Sequence, residues 1–311
     1  MSKLSDGLAP DQPNCKNVIT NPMKLASWSL LITATLSALA ACSAAPGRST
    51  DYSYASHKSA NPLTIQAAGA RVQNSGKVVH VLVALCDNEH QGIVPVPARL
   101  GNGEDLTSNL YWGAAYGVKA FFAKSTDWKL IEQTQNPAPA VLERCIFKNK
   151  SGGVYLVADA YRGAEIKKTI TDFFDYASGG RVEVIDADSS KHPAINAGGA
   201  ADLIVFIGHN GLMNFKLESY PTQQNNGRRG AIILCCASKS YFSAPLRRAG
   251  ADPILWTNGL MAPEAYVLNA GLDGWIANES GEQIRNRAAK AYNAYQHCGL
   301  KAARGLFAGG W

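Results

Sequence analysis

The chain has 311 residues, 46% of them hydrophobic, and carries 30 lysines and arginines against 24 aspartates and glutamates. The formal net charge of +6 comes from single residues and pairs such as Lys167-Lys168 and Arg247-Arg248, without any basic run. This pattern argues against nucleic acid as a partner. No Cys-x-x-Cys motif or Cys/His cluster with zinc spacing occurs, so neither a metal nor another cofactor is predicted.

The amino-terminal residues predict a secretory signal. Residues 23–41 begin with the positive Lys24 and continue through an apolar stretch that ends in small residues. The stretch is short for a membrane span, and no stop-transfer charges follow it. Residues 1–22 are polar and lack signal character. We therefore expect translation to start at Met23, with residues 1–22 added by an over-extended reading of the gene.

The end of this signal, Leu39-Ala40-Ala41-Cys42, resembles the lipobox of bacterial lipoproteins. The resemblance implies cleavage before Cys42, a lipid anchor on its thiol and a place in the bacterial cell envelope. Ser43 implies the outer membrane, facing the periplasm, by the sorting rules of that family. The alternative is an ordinary signal with an incidental cysteine. Residues 42–76, rich in Ser, Ala, Gly and Pro, predict a flexible tether, which leaves residues 77–311 for one domain.

From Lys77 onward, predicted strands and helices alternate. The strands are expected at 78–85, 127–134, 203–207, 231–235 and 252–257, with a hairpin over 141–158 that turns at residues 150–153. The helices are expected at 109–122, 164–178 and 279–298. This order predicts an α/β fold, with a mostly parallel sheet sandwiched by helices and a β-hairpin insertion.

A histidine and a cysteine follow two of the predicted buried strands. His209 comes after the strand at 203–207 and Cys236 after the strand at 231–235. If the two strands are parallel neighbours, both side chains emerge at the same edge of the sheet, where ligands of such folds collect. An imidazole beside a thiol can take its proton and make it a nucleophile. The alternative is a polar residue and an ordinary cysteine that happen to end two strands.

The region around these residues resembles the caspase-like cysteine peptidases, and CHAT-type domains in particular. The shared pattern is an apolar strand, Gly-His-x-Gly, a gap, a second apolar strand, a small residue and Cys-x-Ser, and the likeness covers residues 200–298. The resemblance implies a caspase-like fold, His209 as the catalytic histidine and Cys236 as the nucleophile. It also implies oxyanion stabilisation by backbone amides near Asn210 and Gly211. The sequence departs from the family in placing Asn210 between the histidine and the glycine.

Further candidates are weaker. Asp87, in the segment Cys86-Asp87-Asn88-Glu89-His90, matches a position where a family carboxylate can line a pocket for a basic substrate side chain. The alternative for Asp87 is a turn or a helix cap. Cys235 continues a buried run and is expected to pack as a small apolar residue.

Together these patterns predict a lipid-anchored cysteine endopeptidase of the cell envelope, acting on a protein or peptide substrate. The alternative is a non-catalytic envelope lipoprotein that uses the same fold to bind a protein or glycan partner, through the aromatic and Pro-rich segment 91–117.

Overall fold

Eight strands form the sheet at the centre of the molecule. A computed structural model describes residues 74–311, so the predicted signal, Cys42 and nearly all of the predicted tether lie outside the described residues. The described residues form ten strands, eight in this sheet and two in a smaller one. They are β1 (Lys77–Ala84), β2 (Trp128–Ala138), β3 (Val141–Asn149), β4 (Val154–Tyr161), β5 (Val182–Ile185), β6 (Ile195–Gly198), β7 (Leu203–Ile207), β8 (Gly230–Leu234), β9 (Asp252–Thr257) and β10 (Phe307–Ala308). The main sheet has the order β10-β9-β8-β7-β1-β4-β3-β2, and β5 pairs with β6 in a small separate sheet.

The central part of this sheet is parallel. Strands β4, β1, β7, β8 and β9 all run in one direction, and every antiparallel pairing of this sheet includes one of the outer strands β10, β3 and β2. Every residue of β7 is buried, as is every residue of β1 and β8 after the first, because both faces of the sheet are covered. The predicted α/β fold with a mostly parallel sheet is confirmed, and its arrangement is consistent with a caspase-like fold.

Helices cover both faces of the sheet. They are α1 (Val118–Ala123), α2 (Ile166–Ser178), α3 (Ser238–Ala249), α4 (Ala265–Ile276), α5 (Gly281–Gln296) and α6 (Leu300–Leu306). Because side chains of a strand alternate between its faces, Val79 and Val81 pack with α1, α4 and α5, while Val78 and Leu82 pack with α2 and α3. Within residues 74–311, no helix combines the length and the hydropathy needed to cross a membrane.

Several predicted elements are confirmed with small shifts of their ends. The hairpin forms from β3 and β4 around residues 150–153, and β4 also pairs with β1 in parallel. The hairpin is therefore part of the main sheet. The helices predicted at 164–178 and 279–298 correspond to α2 and α5, and the strand predicted at 127–134 extends as β2 to Ala138.

The helix predicted over 109–122 is wrong for most of its length. Residues 109–117 form successive turns, and only α1 is helical. The Asn109 amide binds the backbone of Cys86, accepting from its N–H at 3.1 Å and donating to its carbonyl at 2.8 Å. Gly113 lies so close to Thr107 that a Cβ there would meet the Thr107 carbonyl oxygen at 2.3 Å. The Asn109 bonds tie the segment to the residue that follows the end of β1, and the Gly113 contact folds the segment back on Thr107.

The direction in which the sheet grows reverses next to β1. After β1, the chain adds β2, β3 and β4 on one side of β1. After β4 it crosses to the other side of β1, where it adds β7, β8 and β9. In open α/β sheets, the carboxyl ends of the strands at such a reversal form the usual ligand crevice. Here that crevice lies between the loops that follow β1 and β7. We call the side of the sheet where β1, β7, β8 and β9 end the carboxyl edge.

Candidate active site

The structure brings His209 and Cys236 to neighbouring positions at the carboxyl edge. Strands β7 and β8 are parallel and adjacent, with Ile207 opposite Leu234, and β1 pairs with the other side of β7. His209 and Cys236 each lie two residues beyond this last aligned pair (209 − 207 = 2 and 236 − 234 = 2). Neighbouring strands are separated by about 4.8 Å. The predicted parallel neighbourhood of these strands is confirmed.

The residue before the histidine has to be a glycine. Gly208 has φ +152°, and a Cβ there would meet both Cβ and the carbonyl oxygen of Ala84 at 3.0 Å. The absence of a side chain lets the loop after β7 lie directly against the end of β1. The loop that carries His209 therefore begins directly beside the end of β1.

Asn210 connects the ends of β7 and β8 through its side chain. It is fully buried, donates from Nδ2 to the Cys236 carbonyl at 2.6 Å and accepts at Oδ1 from the Leu212 amide at 3.2 Å. The second bond caps a single 3₁₀ turn over Gly211–Met213. Within that turn the Gly211 amide donates to the His209 carbonyl at 3.1 Å, so its predicted use as an oxyanion donor requires this bond to open.

The imidazole of His209 bonds to a residue of the same loop. Its Nε2 lies 2.7 Å from Oδ1 of Asn214, which immediately follows the 3₁₀ turn. Sequence reasoning missed Asn214 as a partner of His209. Its spacing of five residues from His209 was the one signal for this contact in the sequence. In this conformation the hydrogen bond of the His209 ring goes to an amide and not to the Cys236 thiol.

The Cys236 thiol is partly buried and bonds to the loop after β9. It accepts from the Met261 amide at 3.4 Å and donates to the Met261 carbonyl at 3.6 Å. Burial raises the pKa of this thiol, and the Met261 amide offsets only part of that effect. Burial therefore favours the protonated form of the thiol in this conformation. His209 and Cys236 lie at neighbouring strand ends, but each is hydrogen-bonded to another residue.

The adjacent Cys235 has a different environment. It is fully buried against the face covered by α2 and α3, and burial raises its pKa well above the ordinary value. The chain then turns sharply through Ala237, which has φ +50°, into α3. This turn leaves Cys236 partly buried at the carboxyl edge and keeps Cys235 in the core. The contrast agrees with the expected packing of Cys235.

Asp87 forms the turn that follows β1. Its Oδ1 accepts from the amides of Glu89 at 2.8 Å and His90 at 3.1 Å, while its Oδ2 lies 2.9 Å from His90 Nδ1. The hydrogen bond from Asp87 raises the pKa of the exposed His90 ring. These contacts favour the turn-forming role for Asp87, and a role in binding substrate stays a prediction.

Two further polar side chains, Glu264 in the loop after β9 and Tyr111 in the loop after β1, were not predicted as site residues from the sequence. The Glu264 carboxylate, just before α4, accepts from the Tyr266 hydroxyl at 2.8 Å and from Gln296 at 3.1 Å. Burial raises the pKa of Glu264, despite these two donors. Burial also raises the pKa of the Tyr111 hydroxyl, and the neighbouring Cys86 and Cys236 raise it further. The Tyr111 ring is buried in the core.

One cluster of the described residues brings three possible metal ligands within 4.8 Å: His80, Asp159 and Glu183. Arg144 donates two bonds of 2.6 Å to Asp159 and one of 2.6 Å to Glu183, so a guanidinium already lies between the carboxylates. Burial alone would raise the pKa of Asp159, but Arg144 outweighs burial and holds it well below the usual range. His80 Nδ1 accepts from the Gly198 amide at 3.0 Å, which makes Nε2 the donor to Asp159. The cluster is a buried ion-pair network.

Exposed apolar side chains occur in the segments that follow β1, β7, β8 and β9. Val94 follows β1 and Met213 follows β7, and they are 71% and 44% exposed. Tyr241, in the first turn of α3, and Leu260, after β9, are 40% and 43% exposed. Two surface cavities, of about 390 and 240 Å³, are lined by other residues and include neither His209 nor Cys236. Apolar side chains are thus exposed in the segments that follow each of these four strands.

No family model, no curated protein and no solved structure matches this chain. The likeness to caspase-like peptidases therefore depends on the residues around His209 and Cys236, and function has to be argued from the chemistry of the carboxyl edge.

Proposed function

We propose that this chain is a lipid-anchored cysteine endopeptidase of the bacterial cell envelope, with His209 and Cys236 as its catalytic dyad. The observation that carries the proposal is the equivalent position of the two residues, each two steps beyond the aligned ends of adjacent parallel strands. The buried Asn210 supports it, because its bond to the Cys236 carbonyl fixes the two loops to each other. The anchor is proposed from the lipobox-like residues that end in Cys42.

In the proposed reaction, Cys236 gives its thiol proton to His209 and forms a bond from Sγ to the carbonyl carbon of a peptide bond. The peptide C–N bond then breaks, and His209 gives the proton to the leaving amine. Water cleaves the resulting thioester, with His209 taking its proton and returning one to Sγ. Backbone amides near Asn210, Gly211 and Cys236 would stabilise the oxyanion.

This reaction requires the thiol to exchange its bonds with Met261 for a bond with His209. The Met261 contacts are long and partly solvent-accessible, at 3.4 and 3.6 Å, so their replacement costs little. Binding of a polypeptide over the apolar side chains of the carboxyl edge would exclude water from the site and strengthen the thiol–imidazole interaction.

A specific observation favours the second candidate, a non-catalytic envelope lipoprotein that binds a protein or glycan. The pKa of the Cys236 thiol is raised, and the His209 ring bonds to Asn214. In this structure the thiol and the imidazole are therefore not hydrogen-bonded to each other. The exposed Val94 lies in the segment 91–117, to which this alternative assigns partner binding.

The two functions are separated by a search for cleavage products. We expect the purified protein to generate new peptide amino termini in a mixture of denatured envelope proteins, measured by mass spectrometry. Cys236→Ala and His209→Ala should abolish these termini, while Cys235→Ala should retain them. An identical set of products from wild type and Cys236→Ala would contradict a peptidase function for this site.

A further inference from the structure

We infer that Asn214 is a positioning residue for His209: its amide oxygen holds the imidazole with the proton on Nε2 and leaves Nδ1 as the base. This inference rests on the proposed function for the role of Nδ1, but the orientation of the ring can be tested by itself. The amide oxygen of Asn214 accepts hydrogen bonds and cannot donate one. The 2.7 Å contact with Nε2 therefore requires the ring proton to be on Nε2.

The local backbone supports this orientation of the Asn214 amide. The Asn214 N–H donates to the Gly211 carbonyl at 2.9 Å, which ends the 3₁₀ turn and directs the side chain back towards His209. Its amide nitrogen faces Gly92, where a Cβ would lie 3.6 Å away. Gly92 has φ +62°, a conformation that side chains rarely adopt, so this space stays open. With the nitrogen on the Gly92 side, the oxygen faces the imidazole.

The same 3₁₀ turn also carries the bonds of Asn210. The Asn210 side chain caps the start of the turn and binds the Cys236 carbonyl, while Asn214 follows its end and binds the His209 ring. One short turn therefore sets the backbone position of the proposed nucleophile and the ring orientation of the proposed base. General acid–base catalysis needs such an oriented base, because proton transfer occurs only within hydrogen-bonding distance.

The test combines imidazole nitrogen NMR with a measurement of thiol reactivity. In ¹⁵N-histidine-labelled protein at pH 8, with signals assigned by their loss in His209→Ala, we expect His209 to show a protonated Nε2 and an unprotonated Nδ1. Asn214→Leu removes the acceptor and should move the two nitrogen signals towards each other. Asn214→Asp retains an acceptor and should keep them apart. Met213→Leu, an exposed position in the same turn, is the matched control and should change neither signal.

Thiol reactivity then tests the base. Alkylation of Cys236 by iodoacetamide at pH 7.5 should fall roughly tenfold in Asn214→Leu, a part of the roughly 10²–10⁴-fold that a positioned base supplies. Asn214→Asp should restore it. Unchanged nitrogen signals in Asn214→Leu would overturn the inference at any level of activity. Altered signals together with equal alkylation in wild type and His209→Ala would contradict the proposed function and support the ring-positioning inference.

Discussion

Replacing Asn210 by alanine should destabilise the protein far more than replacing Asn214, although both asparagines belong to one loop. Asn210 is fully buried, and its removal leaves the Cys236 carbonyl and the Leu212 amide without their side-chain partner. A buried polar group without a partner costs about 1–3 kcal/mol. Water can reach the partly buried Cys236 from the carboxyl edge, so we place each group in the lower half of that range and expect a total of about 2–4 kcal/mol.

The assay is urea unfolding of the purified protein at pH 7 and 25 °C, followed by tryptophan fluorescence. Asn214→Ala is the matched control, and it should change the free energy of unfolding by less than about 0.5 kcal/mol because its side chain is exposed. Asn210→Asp should not rescue stability, since its carboxylate cannot donate to the Cys236 carbonyl. A loss below about 1 kcal/mol in Asn210→Ala would refute the role of Asn210 as the connection between the two strand ends.

Three further predictions concern the core, the two cysteines and the anchor. Arg144→Leu leaves the buried Asp159 without its cation and should cost about 3–5 kcal/mol at pH 7. Because Arg144 lowers the pKa of Asp159, this contribution is fully present above roughly pH 4 and is lost as the pH falls further, so urea unfolding at pH 3 should show a smaller difference. Cys235→Ala should cost about 1–2 kcal/mol and retain cleavage, whereas Cys236→Ala should lose cleavage and keep the circular dichroism spectrum of the folded chain. Cys42→Ser should abolish radioactive fatty-acid labelling and membrane retention in cell fractionation, and a variant that stays anchored would contradict the lipobox interpretation.

The sequence was sufficient to predict the parallel core because burial on both faces leaves a clear pattern. Strands β1, β7 and β8 are nearly continuous apolar runs, and α2 has its apolar residues at helical spacing, so each element could be recognised by itself. The segment at 109–117 satisfied the helical pattern equally well. Its real conformation depends on the bonds between Asn109 and Cys86, which are distant in sequence and have no local signal.

For the candidate site, the sequence likewise predicted the location but not the hydrogen bonds. The edge on which His209 and Cys236 meet followed from strand order and direction, which the apolar runs predicted. The partners of the two side chains did not follow, because they depend on a 3₁₀ turn and on the loop after β9. The conformation of these two loops decides whether the thiol bonds to Met261 or to the imidazole.

The pH dependence of Cys236 alkylation tests the proposed dyad most directly. The rate constant for iodoacetamide should be measured between pH 5 and pH 10 by mass spectrometry of the Cys236 peptide, in wild type and in His209→Ala. If His209 accepts the thiol proton, the wild-type rate should already be high at neutral pH and should clearly exceed the rate of His209→Ala there. In His209→Ala the rate should rise only above about pH 9, because burial raises the pKa of the unaided thiol. Superimposable profiles that both rise only above about pH 9 would contradict a catalytic dyad and leave the binding-protein alternative.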